Sequence, residues 1–298
     1  MQRKSGTFWS ARTSNKMKPD LHMHTTASDG VLSPRALVDY AIQRGVTVMA
    51  ITDHDTFDGA DSLRGVETPI PVITGVELSM ADMKGLHLLG YGVTDAPELR
   101  RIVRILAEKR LTRAERMVEK LGEMGFQLDY SELCAKCAGT VGRPHIAREM
   151  VAKGYVRSTE QAFDKYIGDD CPAYVPNERL TMSEALPLLR RSGFVPVLAH
   201  PAELGKDDMT TRMLIEAWQK QGLMGVEVYH PSQQKRSFAN LDAFARRMGL
   251  LVTGGSDYHC DDQRHGQPGC TTFYWQRAAD DVSALLAAMN TQADQTEI

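Results

Sequence analysis

The 298-residue sequence has no excess of positive charge, since its formal net charge is −3. A protein that grips a long nucleic acid along its phosphate backbone normally carries a basic excess. A phosphate-bearing partner should therefore be small, short or held locally. Bound metal ions could supply the positive charge that the composition lacks.

Disulfide spacing and long apolar runs are absent as well. The five cysteines form no disulfide framework, and Cys134 and Cys137 lack the second pair that a zinc ribbon needs. No apolar stretch is long enough to span a membrane, and no signal peptide is recognisable. These absences favour a soluble, cytoplasmic protein with no membrane partner, and nothing in the sequence indicates a protein partner.

What the sequence does contain is a series of short apolar runs that carry a histidine or a carboxylate at or near their ends. The runs cover residues 21–24, 46–51, 72–76, 86–91, 195–199, 226–229 and 250–253. Helical patterns lie between them, so the alternation predicts an α/β fold, either a barrel or a doubly wound parallel sheet. In such barrels the chemistry takes place at the carboxyl ends of the strands.

One stretch interrupts this alternation. Residues 98–176 contain no strand pattern and begin with a long charged helix from Glu98 to Met124. We expect a helical cap at 98–176, inserted into a barrel domain made of residues 20–97 and 177–298. Residues 1–19 are polar and aperiodic, and we expect a disordered extension or tag there.

The sharpest local pattern is Asp20-Leu-His22-Met-His24. Alternate residues of a strand share a face, so the two imidazoles should converge on one metal ion. Asp20 falls on the same face, either as a further ligand or as an acceptor that orients an imidazole. Alone, the pattern fits a hydrogen-bonded histidine pair equally well.

The placement of the other histidines strengthens the metal hypothesis. Seven of the nine histidines lie on or at the end of a predicted strand: His22, His24, His54, His87, His200, His230 and His259. Histidines placed by chance would be spread over helices and loops too, so a shared metal site is favoured. Metal ions suit phosphate ester hydrolysis because they neutralise the ester and lower the pKa of water.

Five separated motifs resemble those of the polymerase-and-histidinol-phosphatase (PHP) family of the amidohydrolase superfamily. They are Asp20-Leu-His22-Met-His24 with Ser28-Asp29-Gly30, Ile51-Thr52-Asp53-His54-Asp55, Gly75-Val76-Glu77, Ala199-His200-Pro201 and Gly255-Ser256-Asp257-Tyr258-His259. The resemblance extends over nearly the whole chain after Pro19. It implies a distorted (β/α)7 barrel, similar to a TIM barrel, with an inserted helical cap.

The resemblance also implies two or three divalent metal ions. We expect manganese as the first choice, with iron, zinc or magnesium as alternatives. The first ion would be held by His22, His24, Glu77 and Asp257. The second would be held by Asp29, His54 and His200. The third would share Glu77 and add His87 and His259.

The remaining candidates concern substrate and proton transfer. Arg110 and Arg113 lie one helical turn apart in the predicted cap, where a solvated helix face is the alternative reading. Arg143 and His145 flank Pro144 where a helix begins, and they are the preferred contacts for a second phosphate. The candidate catalytic residues are Asp257, His230 and His145, and Asp29 and His54 are placed next to the substrate.

Within the family, the insertion resembles that of nucleoside bisphosphate phosphatases. The leading hypothesis is hydrolysis of the 3′-phosphate of a nucleoside 3′,5′-bisphosphate, such as adenosine 3′,5′-bisphosphate, by a hydroxide that bridges two metal ions. The alternative enzyme is a 5′–3′ exoribonuclease that trims short 5′-phosphorylated RNA. A non-catalytic metal-binding module and an amide hydrolase are the readings from other classes.

Overall fold

The computed structural model describes residues 17–137, 141–176, 178–233, 235–261, 266–272 and 274–296, without the side chains of residues 110, 111, 235 and 236. Seven strands form one sheet whose spatial order follows the chain. They are β1 (Pro19–Asp20), β2 (Val48–Ile51), β3 (Val72–Ser79), β4 (His87–Gly92), β5 (Phe194–Leu198), β6 (Gly225–Tyr229) and β7 (Leu251–Gly254).

The sheet curls until its two edges meet. The N–H of Leu21, just after β1, donates to the carbonyl of Gly254 in β7 at 3.1 Å, and Met23 pairs in parallel with Tyr258. The result is a nearly closed seven-stranded α/β barrel, and the predicted fold class is confirmed. Closure brings the two segments that carry His22, His24 and Asp257 side by side.

Strand β4 departs from the parallel sheet that the sequence pattern predicted, because it pairs in antiparallel fashion with both β3 and β5. Only residues 80–86 connect β3 to β4, which is too short for a crossover helix, so the chain must turn back. His87 is consequently the first residue of β4 and lies opposite Ser79, the last residue of β3. The reversal therefore places His87 at the rim where the parallel strands end.

Ten helices of the described chain surround or extend the barrel, together with a π-helical turn at Phe163–Ile167 and a 3-10 turn at Pro201–Leu204. They are α1 (Pro34–Gln43), α2 (Asp58–Asp61), α3 (Pro97–Glu123), α4 (Tyr130–Lys136), α5 (Arg143–Ala152), α6 (Thr159–Ala162), α7 (Met182–Arg191), α8 (Asp208–Gln221), α9 (Lys235–Arg247) and α10 (Ala278–Thr296). None of the helices in the described residues is both long enough and apolar enough to cross a membrane.

The segment between β4 and β5 has an apolar core of its own. Its fourteen buried members all fall between Ala114 and Val175, and they include Met117, Leu121 and Ile146. The barrel side chains form separate clusters around residues such as Leu78. The division into a barrel and a cap at 98–176 stays a prediction that this packing suits.

The expected extension at residues 1–19 falls mostly on residues 1–16, which lie outside the described chain. Pro19, by contrast, belongs to the sheet, and Lys18 is hydrogen-bonded to the segment before β2. The backbone N–H of Lys18 donates to Thr47 at 2.9 Å, and Pro19 begins β1.

Closure of the barrel at Gly255 gives a stability prediction. A Cβ atom at this position would lie 2.3 Å from Cβ of His22, far inside van der Waals contact. We expect Gly255→Ala to lower the free energy of unfolding by about 1–3 kcal/mol, because overpacking forces neighbouring backbone to shift. Urea denaturation followed by circular dichroism measures this change.

Gly122→Ala is the matched control. It lies in α3 with no heavy atom near the added methyl group, and alanine is a better helix former by about 0.5–1 kcal/mol. Equal stability of the two variants would contradict the close approach of Gly255, the residue after β7, to His22.

Candidate metal centre

The carboxylate of Glu77 lies at the centre of a histidine cluster at the rim of the barrel. Glu77 is fully buried near the end of β3. Five imidazoles surround it at nitrogen–oxygen distances between 2.8 and 3.2 Å: His22, His24, His54, His87 and His200. One oxygen, Oε2, faces the first three, and the other, Oε1, faces the last two. Glu77 can therefore ligate more than one ion.

The first group of possible ligands is the one that the resemblance implied. Nε2 of His22, Nε2 of His24, one oxygen of Glu77 and one oxygen of Asp257 all lie within 4.8 Å of one another. Oδ1 of Asp257 is 3.2 Å from the first imidazole and 3.1 Å from the second. All four side chains are buried. Two nitrogens and two carboxylate oxygens at this spacing suit a divalent ion.

Four further groups each share a residue with the first; two of them include His230, and two consist entirely of predicted ligands. One combines His24, Asp29, His54 and His259, and the other combines His54, Glu77 and His87. His259 Nε2 lies 3.3 Å from Asp29 Oδ1, and His200 Nε2 lies 3.3 Å from His87 Nδ1. All nine predicted ligands are therefore brought together in one cluster.

The grouping within this cluster differs from the implied one at two residues. His259, which the resemblance placed with Glu77 and His87, lies beside Asp29. His200, which it placed with Asp29 and His54, lies beside Glu77 and His87. The topology explains the exchange: His259 follows β7, the neighbour of β1 across the closure, whereas His200 follows β5, the neighbour of β4.

Unsatisfied polar atoms indicate that the cluster holds something further. Nε2 of His22, both ring nitrogens of His24, Oε2 of Glu77 and Oδ1 of Asp257 are buried and have no well-oriented hydrogen-bond partner among the described residues. A buried polar atom left without a partner costs about 1–3 kcal/mol. Several such atoms that converge on shared points fit metal ions, which need lone pairs and no protons.

The electrostatics agree with this. Burial alone would lower the pKa of His24, but contacts with Asp257 and Glu77 outweigh it and raise the pKa to about 10. For Glu77, burial would raise the carboxyl pKa, yet His54 and His22 hold it well below its ordinary range. The carboxylates therefore favour positive charge within the cluster, and a bound divalent ion would supply that charge in place of protons.

Glu227 supports this cluster and was missed by the sequence analysis. It is buried in β6, accepts a hydrogen bond from Nδ1 of His22 at 3.1 Å, and accepts another from the backbone N–H of His200 at 2.9 Å. A carboxylate behind an imidazole fixes its tautomer and orientation. The available signal was a lone glutamate inside an apolar strand.

Asp20 and Asp53 hold the loops that present the ligands. Asp20 accepts hydrogen bonds from the backbone N–H groups of Ser256 at 2.9 Å and Gly269 at 2.6 Å. It thus orients the segment that carries Asp257, and it neither joins a ligand group nor binds an imidazole. Burial raises the pKa of Asp20 to about 6, although the Gly269 and Ser256 hydrogen bonds oppose the rise. Asp53 in turn accepts from Thr25 N–H, next to His24, and from Ser28 Oγ, next to Asp29, both at 2.7 Å.

Two of the predicted ligands have unusual backbone conformations. Asp257 has a φ of 53° and His200 a φ of 22°, in the region that non-glycine residues seldom adopt. Such strain persists where the surroundings determine the conformation, and it is concentrated at functional sites.

Two cavities open beside the cluster and share Asp29, His54 and His87 as lining residues. The arginine cavity, of about 150 Å³, is lined by Arg113, Arg143 and Arg179. The wide cavity, of about 630 Å³, is lined by Arg148, Thr159, Glu160 and Cys260 together with the ligands Glu77, His200, Asp257 and His259.

The predicted substrate contacts have different positions in the structure. Arg113 and Arg143 line the arginine cavity, and Arg143 also donates to Asp169 Oδ1 at 2.8 Å. The side chain of Arg110 lies outside the described residues. Arg148 and Arg179 were missed, because a single arginine on a helix or in a loop carries no distinguishing pattern.

The two histidines predicted to be catalytic, His145 and His230, also have different positions. Nδ1 of His145 accepts from the backbone N–H of Gly142 at 3.0 Å and so caps α5. His145 lines neither cavity, and its catalytic role stays a prediction. His230 is buried with Nε2 3.4 Å from Asp257 Oδ2, and its Nδ1 lies 2.7 Å from Ser232 Oγ. It therefore touches the metal cluster without joining the nine predicted ligands.

Known proteins share this architecture. A PHP domain model matches residues 20–168. The 5′-3′ exoribonuclease of Haemophilus influenzae is 34% identical over 246 residues, which cover 81% of this chain and 90% of the relative. The 3′,5′-nucleoside bisphosphate phosphatase of Chromobacterium violaceum is 31% identical over 250 residues, which cover 80% and 86%. A solved structure from Bifidobacterium adolescentis, described as a metal-dependent phosphoesterase, has a TM-score of 0.78 at 29% identity and covers 91% of this chain and 96% of its own.

The central position of Glu77 gives a prediction about metal content. Glu77→Gln keeps the size of the side chain but replaces one ligating oxygen by an N–H donor, so we expect most of the bound metal to be lost. Elemental analysis of purified protein measures the content. Chelation of wild-type protein should reproduce the accompanying loss of stability, about 3 kcal/mol for an ion present at a hundredfold excess over its Kd.

Glu149→Gln is the control, since Glu149 is also a buried glutamate but pairs with Lys136 in the cap. It should retain the full metal content. Undiminished metal in the Glu77 variant would show that the cluster is not organised around this carboxylate.

Proposed function

This chain belongs to the PHP-domain family of metal-dependent phosphoesterases, and from that premise we propose that it hydrolyses the 3′-phosphate of nucleoside 3′,5′-bisphosphates. The observation that carries the proposal is the arginine cavity, which adjoins the metal cluster along Asp29, His54 and His87. A substrate with two phosphates needs one hydrolytic centre and one separate anion site. Adenosine 3′,5′-bisphosphate has that form.

Nine side chains would hold two or three ions, for which manganese is our first choice: His22, His24, Asp29, His54, Glu77, His87, His200, Asp257 and His259. We propose the grouping that the distances favour, with His259 beside Asp29 and His200 beside Glu77. Bound ions would neutralise the reacting phosphate and lower the pKa of bound water, so that hydroxide is available for attack near neutral pH.

The protein's own side chains would fix the substrate. Arg113, Arg143 and Arg179 present guanidinium groups to the second phosphate, where each can donate two parallel hydrogen bonds. Arg143 is held for this by Asp169 and packs over the ring of Phe163 at 5.5 Å. Guanidinium groups that are already held in place lose little conformational entropy when they bind a phosphate. They should therefore favour a substrate with two phosphates over a substrate with one.

His230 is the side chain that we propose for proton transfer. With Nδ1–H donating to Ser232 Oγ at 2.7 Å, a protonated His230 carries its second proton on Nε2, the nitrogen that faces Asp257. It can release this proton to the departing ribose oxygen and remain a neutral imidazole, while Asp257 keeps the ring oriented.

The proposed cap, residues 98–176, would determine the substrate. It supplies Arg113 and Arg143 to the arginine cavity and Arg148 to the wide cavity. Arg148 also donates to the backbone carbonyl of Asp29 at 3.2 Å, so cap and metal cluster are in direct contact. The barrel would provide hydrolysis and the cap would provide selectivity.

A 5′–3′ exoribonuclease is the second candidate, and the wide cavity favours it. With about 630 Å³ beside the metal ligands, it has room for a nucleotide attached to the 3′-phosphate. The relative from Haemophilus influenzae has this activity by name. Both reactions break a phosphorus–oxygen bond next to a 5′-phosphorylated nucleotide, so one site could perform both.

The proposal is tested by removing either the 5′-phosphate from the substrate or its arginine contact from the protein. We expect Arg143→Gln to lower kcat/KM for adenosine 3′,5′-bisphosphate by about 10- to 100-fold, since a hydrogen bond to a charged group contributes roughly 1.5–3 kcal/mol. Hydrolysis of adenosine 3′-phosphate, which lacks the 5′-phosphate, should not change. Phosphate release with manganese present measures both.

Arg191→Gln removes an exposed arginine that pairs with Glu98 away from the cluster, and it should leave both rates unchanged. An equal loss of activity on the two substrates in the Arg143 variant would overturn the assignment of the second phosphate. Absence of any hydrolysis of bisphosphates by wild-type enzyme would overturn the proposed function itself.

A further inference from the structure

A third cavity, the outer cavity, lies on the far side of the loops that carry two active-site histidines. It has a volume of about 310 Å³ and is bordered by α8, α9 and the segments that follow β5 and β6. Its wall includes Pro201, the residue after His200, and Ser232, whose Oγ lies 2.7 Å from Nδ1 of His230. The outer cavity is therefore separated from the metal cluster by one layer of chain.

The lining of this cavity is suited to an anion. Lys206 and Arg212 contribute two positive charges, and Asp208 is the one carboxylate among the described lining residues. Ser232, Gln233 and Ser237 add hydroxyl and amide donors. No aromatic side chain lines the described wall, so a base could not stack inside. A phosphate group is the ligand that this set of donors recognises.

The two cations have no partner of their own within the described residues. Arg212 lies over the face of Phe244, with the guanidinium carbon 5.4 Å from the ring centroid, and neither Arg212 nor Lys206 makes a hydrogen bond or an ion pair in the described part of the chain. Other arginines of the chain pair with carboxylates, as Arg100 does with Asp61 and Arg246 does with Asp281. A guanidinium that is packed but not neutralised is available for a ligand.

The surface next to the cavity suits a polynucleotide better than a free anion. Met209 and Met213, one turn apart on α8 and flanking Arg212, are 74% and 63% exposed. Thioethers make favourable contacts with aromatic rings, so bases can rest on them. Inorganic phosphate would gain nothing from this apolar surface.

We propose that the outer cavity binds the first phosphodiester beyond the scissile bond when the substrate is a short 5′-phosphorylated RNA. The inference rests on the proposed phosphoesterase function and deepens it. The 5′-phosphate lies in the arginine cavity and the scissile phosphate at the metal cluster. The leaving strand crosses the short turn Pro201–Leu204, and its next phosphate reaches Lys206 and Arg212.

A comparison of dinucleotide with trinucleotide tests this, because pApA has no phosphodiester beyond the scissile one and pApApA has one. In the double variant Lys206→Gln, Arg212→Gln we expect kcat/KM for pApApA to fall by about tenfold or more, as the loss of two charge-assisted contacts with one phosphate predicts. The values for pApA and for adenosine 3′,5′-bisphosphate should stay within about twofold of wild type. The rate for pApApA should also become less dependent on salt.

Lys220→Gln is the matched control, since it removes another cation from the far end of α8. It should leave all three substrates unaffected. A fall of equal size for pApA and pApApA, or no fall for either, would overturn the outer-cavity proposal. So would a wild-type enzyme that hydrolyses the bisphosphate but no oligonucleotide, and in that case the proposed function stands.

The converse result separates the two ideas. Cleavage of pApApA that depends on Lys206 and Arg212, without hydrolysis of the bisphosphate, would support the outer cavity and overturn the bisphosphatase proposal. A wild-type enzyme inert towards every one of these substrates would overturn both.

Discussion

A buried negative charge, the carboxylate of Glu77, is the constraint on which the rest of the structure depends. An isolated carboxylate in a protein interior is strongly unfavourable unless it is paired or ligates a metal. Here five imidazoles surround it, and further carboxylates stand behind or beside them. Buried carboxylates and imidazoles therefore alternate in the site. Removal of one of these side chains leaves the charge of its neighbours buried without a partner.

The topology of the barrel brings these charged side chains together at one rim. Parallel strands end at a common rim, the reversed strand β4 begins there, and closure of β7 onto β1 completes the ring. Around this ring, Asp20, Asp53 and Glu227 bind backbone N–H groups or imidazoles, so they fix the loops without occupying the centre. The positive φ angles of His200 and Asp257 show that local conformational preference gives way to these demands.

In the proposed function, hydrolysis and substrate selectivity are assigned to different parts of the chain. The metal cluster is built from barrel residues, and it would treat one phosphate ester much like another. The cationic groups that we propose as substrate contacts lie in two cavities: Arg113 and Arg143 come from the predicted helical insertion, whereas Lys206 precedes α8 and Arg212 lies within it. A site with cations in both cavities fits a substrate with several phosphates, and the negative net charge of the protein disfavours a long one.

Local regularities in the sequence were enough to predict an α/β fold, and the family resemblance added the barrel and the nine members of the cluster. These features depend on periodicity and on residue type, both of which are visible along the chain. His22 and His24 share a face because they are two residues apart in an extended segment. Tertiary structure alone decided which predicted ligands lie next to each other. His200 and His259 are both histidines that follow a strand, and they differ in which strands are their neighbours. It also decided that Asp20 binds backbone N–H groups, that Glu227 supports His22, and that His145 caps a helix, because each of these depends on which distant segment the side chain meets.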